Sequence, residues 1–571
     1  MKTLPKWIIL VCIGIWMLFC LVDYWQYHQL QRLAVREFQF GRLAAIVVVL
    51  SGAIGFVGYR FKDQVARYVH GLSILLLSTV LLGLSVQAFM RINQGEALPS
   101  HQLVQFLLSN LLTVGAVTLL MLSAYSAGDL LLSLSRWRRL KRGRDLLRIG
   151  IGMILYTEIL FVFGVFQLMH PALVWGLVVL FPAINYRQSL LFIKRLLWTP
   201  IRVFRKLNVV GIVTFCLLLW WVNLNLVYIN RPFPLGFDAM SLYVNLSSLI
   251  NDYRGLVAGN SMYNWSLYAS QGYLLFDEAA ITLAISFGAG LLGLMAMFTF
   301  ARRWVDANFA MVVTAIFYAM PMVNWLSYKD VKVDMPLLFF LFLLLLLFGE
   351  WLALQPAPVE EAEAASAKKK KKKRKKAGLS FWKKMDRSYS WQKSVRQWVE
   401  HRFPGRPSDL SLLVLIGVIL GFSIGIKLTS ILILFMILTG ITYRWGGLRA
   451  FWGMALFLLG ASFLAGIDDQ PGLRYFNTIT VLLQWIFLAA GAGLLIWQAI
   501  LQRQALRKGL LAYLVIGGLS LVMITPWLLK NITEIDHFSV TGLLNGKTDQ
   551  PTLDVQEIGR IYNELENASG E

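Results

Sequence analysis

The chain has few of the residues from which disulfide frameworks and metal centres are built. Its 571 residues include only three cysteines and six histidines. The cysteines lie within apolar runs, where they act as small hydrophobic residues, and the histidines are scattered without a ligand spacing. The sequence therefore predicts neither a disulfide framework nor a histidine-based metal site. The cysteines are Cys12, Cys20 and Cys216, and the histidines are His28, His70, His101, His170, His401 and His537.

Charged residues are also scarce, at 15% of the chain, whereas apolar residues make up 57%. Apolar runs recur along the whole length, at 209–229, 280–300, 335–349, 411–426, 475–500 and 509–528. As helices, they are long enough to cross most or all of a hydrocarbon core of roughly 30 Å. They are apolar on every side, whereas the strands of a membrane barrel alternate apolar and polar residues. The sequence predicts an all-α, polytopic membrane protein and excludes a soluble one.

The topology follows from the distribution of basic residues. We expect about fifteen membrane-spanning helices, with a cytoplasmic amino terminus and Trp7–Val22 as an uncleaved anchor. Every strongly basic segment then lies on the cytoplasmic side, as expected in a plasma (inner) membrane. Three substantial segments remain outside, namely 230–279, the turn 326–334, and the tail from Pro526. The helices are predicted to be centred near residues 14, 50, 80, 118, 158, 178, 219, 290, 316, 344, 418, 435, 457, 487 and 519. The pair near 158 and 178 is short, so one re-entrant unit is the alternative there.

The net charge of +23 is concentrated in short segments beside apolar runs. Nine consecutive basic residues occupy 368–376, within a predicted cytoplasmic insert at 355–408. No basic domain with interleaved aromatic residues surrounds them, so we expect a partner of anionic membrane lipid at 368–376 and no nucleic acid. The other basic clusters are Arg136–Arg148, Arg187–Lys206 and Arg503–Lys508.

The first external segment combines an acid with amides and aromatic residues. Asp238 follows a Pro-containing stretch at the membrane boundary, where the alternative role is that of an N-cap for a helix beginning at Ala239. Further on, Asn264, Trp265 and Tyr268 offer the flat apolar faces and hydrogen-bonding groups that sugar rings favour. Aromatic belts at membrane interfaces have the same composition. We expect these three residues to bind a sugar or an acceptor.

The second external turn is dense in charge, because Lys329, Asp330, Lys332 and Asp334 fall within six residues. Carboxylates at a bilayer entrance are often functional, although mutual pairing with the two lysines is the alternative. Lys427 is a further boundary cation, and it follows a glycine-rich run that permits close helix packing.

The order of these features resembles a known family. An acid in the first large external loop precedes a Lys-Asp-x-x-x-Asp-x-Pro turn at 329–336. Then follow Gly417-x-x-x-Gly421-x-x-x-Gly425-Ile-Lys427-Leu-Thr and Thr525-Pro-Trp-Leu-Leu-Lys530-Asn. The succession, over about residues 208–545, resembles the GT-C class of membrane glycosyltransferases, in particular bacterial enzymes related to protein mannosyltransferases and aminoarabinose transferases. The family commonly has two adjacent acids in the first loop, whereas Ala239 follows Asp238 here.

The resemblance divides the chain into five parts. They are an amino-terminal transmembrane region of about six spans at 1–207, a first core part at 208–354, the insert at 355–408, a second core part at 409–530, and an external tail at 531–571. The resemblance covers both core parts and does not extend to the first region.

The resemblance implies an inverting transfer of a sugar from a polyprenyl phosphate to a glycan, lipid or protein acceptor on the external face. Asp238 occupies the position of the catalytic acid of the family. Lys427 would stabilise the leaving phosphate, with Lys329, Lys332 and Lys530 as alternates. Asp330 and Asp334 would contact the sugar or a divalent metal, because some members of the class use a metal and others do not.

Other functions remain open. A polymerase or ligase of lipid-linked glycans would also use an external loop and boundary cations, but such enzymes carry their main loop late in the chain. A transporter or flippase would use many spans, and Glu158 is the one acid predicted near the middle of the membrane. A non-catalytic scaffold is the simplest interpretation of residues 1–205.

Overall fold

The fold is known from a computed structural model that describes most of the chain. It describes residues 38–61, 70–94, 96–133, 143–231, 236–258, 262–329, 331–353, 407–464, 477–501 and 503–534, together with Gln64 and Pro234. These residues are mainly helical and include no β-strand, which confirms the predicted all-α class. The anchor at Trp7–Val22, Asp330, the insert up to residue 406 with its basic run 368–376, and residues 535–571 lie outside the described part.

Eighteen α-helices are described in this part of the chain. The first seven are α1 (Phe38–Arg60), α2 (Gly71–Gln94), α3 (Ser100–Ser133), α4 (Arg144–Val165), α5 (Pro171–Ile184), α6 (Tyr186–Phe204) and α7 (Val209–Ile229). A π-helical turn (Ala239–Val244) follows, and then α8 (Asn245–Tyr253), α9 (Asn264–Ala269), α10 (Gln271–Phe276), α11 (Ala279–Ala301), α12 (Ala307–Ala319), α13 (Pro321–Tyr328) and α14 (Asp334–Ala353). The last four are α15 (Pro407–Ile426), α16 (Ile431–Leu464), α17 (Asn477–Leu501) and α18 (Arg503–Glu534).

Eight described helices are long and apolar enough to cross a membrane, or up to ten if each of two bent pairs is one span. The chain is therefore a multi-pass membrane protein, but the predicted number of about fifteen spans is not confirmed. Several predicted spans are shorter apolar helices, namely Val48–Arg60, Leu410–Ile426, Leu428–Arg444 and Gly446–Ala461. Apart from the 3₁₀ turn Leu428–Ser430, the last two belong to the single element α16, which is interrupted at Gly447 by a backbone with φ of 67° and ψ of −159°.

Two sharp bends were not predicted. Helices α5 and α6 meet at 88°, and α12 and α13 meet at 70°. Pro321 explains the second bend, because a proline disfavours helical backbone at the preceding residue, and Met320 accordingly has ψ of 131°. Residue 158 lies in the full-length helix α4. Residue 178 lies in α5, the first helix of the bent pair α5–α6. Most of the cluster Arg187–Lys206, which the sequence places in a cytoplasmic loop, is helix α6.

The chain divides into two compact units. One comprises the described residues within 1–107 and 199–224, and the other comprises those within 108–198 and 225–534. In the first unit, the Trp220 indole donates a hydrogen bond to the Ser85 hydroxyl at 3.1 Å. The second unit contains every described candidate site residue, and its core includes the fully buried Trp265, Phe339, Phe422 and Trp527.

Within the second unit, the glycine-rich helix α15 packs closely against α18. A Cβ atom at Gly421 would lie 2.5 Å from the carbonyl oxygen of Ser520, and the Ser520 hydroxyl donates to the carbonyl of Gly417 at 3.0 Å. These contacts confirm that the small residues allow a close approach. Helix α18 continues through Pro526 to Glu534, so Pro526 lies inside a helix rather than at its end. The buried Trp527 fixes this last part of the helix against the protein interior.

Candidate functional site

The turn between α13 and α14 presents two charged residues on one side. Val331 and Val333 are buried, whereas Lys332 and Asp334 are partly exposed. The two apolar residues anchor the turn in the core, so the charged residues that alternate with them point away from it. The sequence Val-Lys-Val-Asp thus sets both the position of the turn and the direction of its charges.

Each of these charged residues pairs with a residue from a distant part of the chain. The Lys332 ammonium contacts the Asp238 carboxylate, and the Lys427 ammonium lies 2.7 Å from the Asp334 carboxylate. Because Lys332 and Asp334 are only two residues apart, their Cα atoms lie within about 7 Å of each other. Four predicted site residues therefore come together, and we call Asp238, Lys332, Asp334 and Lys427 the boundary cluster.

Asp238 reaches this cluster from the start of the first external segment. It precedes the π-helical turn Ala239–Val244 but makes no side-chain capping hydrogen bond. The Asp238 side chain therefore does not act as an N-cap, because its carboxylate pairs with Lys332 instead. Its side chain is 46% exposed, which leaves part of the carboxylate accessible to a ligand.

Lys427 reaches the cluster from the end of the glycine-rich helix. Helix α15 ends at Ile426, and Lys427 adopts an extended backbone before the short 3₁₀ turn Leu428–Ser430. Its backbone N–H still donates to the carbonyl of Ser423 at 3.1 Å, so the residue is fixed to the last helical turn. The lysine is thus held at the end of an apolar helix.

Asn264 links the elements that carry the cluster, and its side chain is buried. Its amide nitrogen donates to the carbonyl of Phe422 on α15 at 3.1 Å, and its amide oxygen accepts from the Trp527 indole on α18 at 2.6 Å. Gly425 leaves room for this amide, because a Cβ there would lie 2.2 Å from the Asn264 nitrogen. Asn264 therefore links α15 to α18 through Phe422, within the last turns of the helix before Lys427.

Trp265 and Tyr268, predicted with Asn264 to contact a sugar, are also buried. The Trp265 indole donates to the Ser286 hydroxyl on α11 at 2.7 Å. Burial raises the pKa of the Tyr268 phenol, which therefore remains neutral. The structure gives all three residues a packing role in this segment, because side chains with 1% to 2% exposure have little surface to offer a sugar. Composition alone could not separate these two roles.

Lys329 and Lys530 lie in other surroundings. The Lys329 ammonium lies 4.3 Å from the centre of the Trp325 ring. Lys530 is almost fully buried on α18, where it pairs with Glu534 at 2.8 Å and lies 5.6 Å from the centre of the Tyr263 ring. In both cases the lysine ammonium makes a cation–π contact with an aromatic ring of the protein.

A cavity beside Lys530 was not predicted from the sequence. It has a volume of about 920 Å³ and lies between the end of α4, the segment 253–258 and the end of α18. Most of its lining is apolar, with Phe161, Leu256, Val522 and Leu529 among the contributors and Lys530 at its wall. The lining residues come from three separate segments, and no local motif marks them.

The described residues include no group of three or more His, Cys, Asp and Glu side chains that could hold a metal ion. In the boundary cluster, both carboxylates face a lysine rather than each other. This donor set does not fit a divalent ion, which favours several oxygen ligands. Asp330, the other predicted metal or sugar ligand, lies outside the described residues, and the metal requirement stays unassigned.

Comparisons with protein-family models, with curated proteins and with solved structures find no match to this chain. Fold and composition define its class, an all-α multi-pass membrane protein. The resemblance to GT-C glycosyltransferases rests on the motifs in the sequence alone.

Proposed function

We propose that this protein is a membrane glycosyltransferase that moves a sugar from a polyprenyl phosphate to an acceptor on the external face of the plasma membrane. The observation that carries the proposal is the boundary cluster. Its two acids and two lysines come from three regions far apart in the sequence and meet beside the end of an apolar helix. Such a group is suited to a substrate with a phosphate and a sugar at a membrane surface.

Asp238 is the proposed base. An inverting displacement needs a carboxylate that accepts or orients the proton of the acceptor hydroxyl as the new glycosidic bond forms. The partial exposure of Asp238 allows a hydroxyl to approach it, and Lys332 holds its carboxylate in place. The bond from the anomeric carbon to the phosphate oxygen breaks in the same step, and the lipid phosphate leaves with its electron pair.

Lys427 and Lys332 are the proposed phosphate ligands. Charge grows on the phosphate as it leaves, and a fixed cation at a site of low dielectric stabilises that charge. Both lysines already bind a carboxylate, and a phosphate oxygen presents the same kind of acceptor to an ammonium group. Asp334, which pairs with Lys427, is then positioned near the sugar that the phosphate carries.

The cavity beside Lys530 offers apolar space for the lipid part of a substrate. It lies within the size range of about 300–1,000 Å³ that ligand pockets usually have. Lys530 lines this cavity and lies against the Tyr263 ring. Asn264 follows Tyr263 in the sequence and contacts Gly425, which is close to Lys427. A lipid chain in this cavity would therefore end near the boundary cluster.

The test is native mass spectrometry of the purified full chain with added polyprenyl phosphate and polyprenyl-phosphate hexose. We expect the wild type and Asp238→Asn to retain these lipids and Lys427→Ala to bind them at least about tenfold more weakly, as for loss of a charge-assisted contact. Lys206→Ala removes an exposed lysine outside the cluster and is the matched control. Equal retention of phosphatidylglycerol and polyprenyl phosphate by every variant would contradict the proposal.

Transport is the second candidate, and the bent helix pairs favour it. Transporters often build their sites from broken helices, and α12 and α13 meet at 70° next to the turn that carries Lys332. Reconstituted vesicles loaded with fluorescent polyprenyl phosphate separate the two functions. Movement of the lipid between leaflets without any glycosyl transfer would support transport over the transferase.

A further inference from the structure

Helix α6 has features that the proposed glycosyl transfer does not use. It leaves α5 at 88°, so its axis departs sharply from the direction of the preceding apolar helix. Helix α6 contains four basic residues and no acidic one. A helix of this composition, directly after a sharp turn from an apolar helix, is typical of a segment that lies along a membrane surface.

One face of α6 is fixed against the protein. The Phe192 ring stacks on Tyr125 with 4.2 Å between centroids, and the Ser189 hydroxyl lies 2.7 Å from that of Ser126. Arg195 forms a salt bridge to Asp145 at 2.9 Å and also donates to the Tyr125 hydroxyl at 2.7 Å. These contacts to α3 and α4 determine the rotation of α6 about its own axis and hence the direction of its other faces.

A second face of α6 is apolar and exposed. Leu190 is 61% exposed and Ile193 is 38% exposed, and the two follow one another at helical spacing. Leu196 and Trp198 are exposed as well, but they lie on other sides of the helix, with Trp198 close to the side of Arg187 and Lys194. Exposure of such an apolar surface to water is unfavourable, whereas contact with lipid chains would remove it from water.

A third face of α6 is basic. Arg187 and Lys194 are both exposed and lie seven residues apart, which places them on the same side of the helix. At about 100° per residue, this side lies roughly a quarter turn from the Leu190 and Ile193 side. The two faces therefore adjoin, which allows the apolar residues to reach lipid chains while the basic residues reach headgroups.

We propose that α6 lies in the headgroup layer of the inner leaflet and that Arg187 and Lys194 bind anionic phospholipid. The occupant is a lipid because the basic face directly adjoins an exposed apolar face on a helix next to a membrane span. The inner leaflet carries the negative surface potential that attracts such segments. This surface is separate from the run at 368–376 and does not depend on the proposed glycosyl transfer.

The test uses the full chain in phosphatidylcholine nanodiscs that contain phosphatidylglycerol with a photoreactive headgroup. After illumination, peptide mapping locates the lipid adducts. We expect adducts on 186–204 in the wild type, and a loss of about tenfold or more of these adducts in the double variant Arg187→Gln/Lys194→Gln. Adducts on 368–376 should be unchanged in the same sample, which provides an internal reference.

Two control variants accompany this experiment. Arg187→Lys/Lys194→Arg keeps the charge and should keep the adducts, which separates loss of charge from a change in folding. Arg91→Gln removes an exposed charge at the end of α2 and should leave the α6 adducts unaffected. Absence of adducts on 186–204 in the wild type, equal labelling by photoreactive phosphatidylcholine, or full labelling of the charge-neutral variant would overturn the proposal.

Discussion

The ion pairs of the boundary cluster are partly exposed, and this limits what they contribute to folding. Side-chain exposure is 21% for Lys332, 46% for Asp238, 35% for Lys427 and 27% for Asp334. Pairs of this kind stabilise a protein by about 0–1 kcal/mol, because solvent screens them. Two such pairs therefore contribute little to folding, which agrees with the proposed role of the cluster in binding a ligand.

Replacement of Lys332 tests this distinction directly. We expect Lys332→Ala to lower donor turnover by about tenfold or more while thermal stability in detergent changes by no more than about 1 kcal/mol. The measurements are release of polyprenyl phosphate from a polyprenyl-phosphate hexose and the unfolding midpoint of the same sample. A large loss of stability with unchanged turnover would show that the pair is structural.

The hydrogen bond between Asn264 and Trp527 is fully buried and should behave in the opposite way. We expect Asn264→Ala to reduce the free energy of unfolding by about 1–3 kcal/mol, because it leaves the indole N–H without its partner. Trp527→Phe removes the same bond from the other side. In thermal unfolding, the effect of the double variant should differ clearly from the sum of the single effects. Strict additivity would contradict this bond's role.

At the residue level, the sequence predicts the members of the boundary cluster better than their contacts. It identifies Asp238, Lys332, Asp334 and Lys427, because charge at a membrane boundary is conspicuous among apolar runs. It does not identify the pairs, since Lys332 and Asp334 bind residues 94 and 93 positions away rather than each other. Asn264 shows the same limit, because the sequence suggests a sugar ligand where the fold uses a buried link.

At the level of elements, the close contact of α15 with α18 determines where Lys427 lies. We expect Gly421→Ala to destabilise the protein by about 1–3 kcal/mol, because the new methyl group would meet the Ser520 backbone. Gly518→Ala is the matched control on α18, where no atom lies within 4 Å of the added carbon. The control should be neutral or slightly stabilising, as alanine favours helix. Equal thermal stability of both variants would contradict the packing described.

The helices themselves were largely predictable, and their bends were not. Apolar runs of helical length identify α7, α11, α14 and α18, because a lipid environment requires every backbone group to be bonded within the segment. The bend between α5 and α6 depends instead on tertiary contacts. There, the Asn185 side chain donates to Asp129 at 3.0 Å on a different helix. The sequence around Asn185 gives no indication that its hydrogen-bond partner lies on a different helix.

For the whole molecule, the predicted orientation places the boundary cluster outside the cell. We test it with single cysteines in a background in which Cys12, Cys20 and Cys216 are serine. A membrane-impermeant maleimide should label Asp252→Cys in intact cells, since this side chain is exposed in the first external segment. Arg60→Cys, at the end of α1, should be labelled only after permeabilisation. The reverse pattern would invert the topology and contradict an external site.

The proposed activity of the molecule is glycosyl transfer from a lipid phosphate, with Asp238 as the base. The most direct measurement is turnover of radiolabelled polyprenyl-phosphate hexose and pentose by the reconstituted full chain, with products identified by mass and with Lys206→Ala as control. We predict transfer by the wild type and the control, and a loss of about a hundredfold or more in Asp238→Asn with the donor still bound. Unchanged turnover in Asp238→Asn, or no transfer from either donor to any glycan, lipid or protein acceptor, would contradict the account.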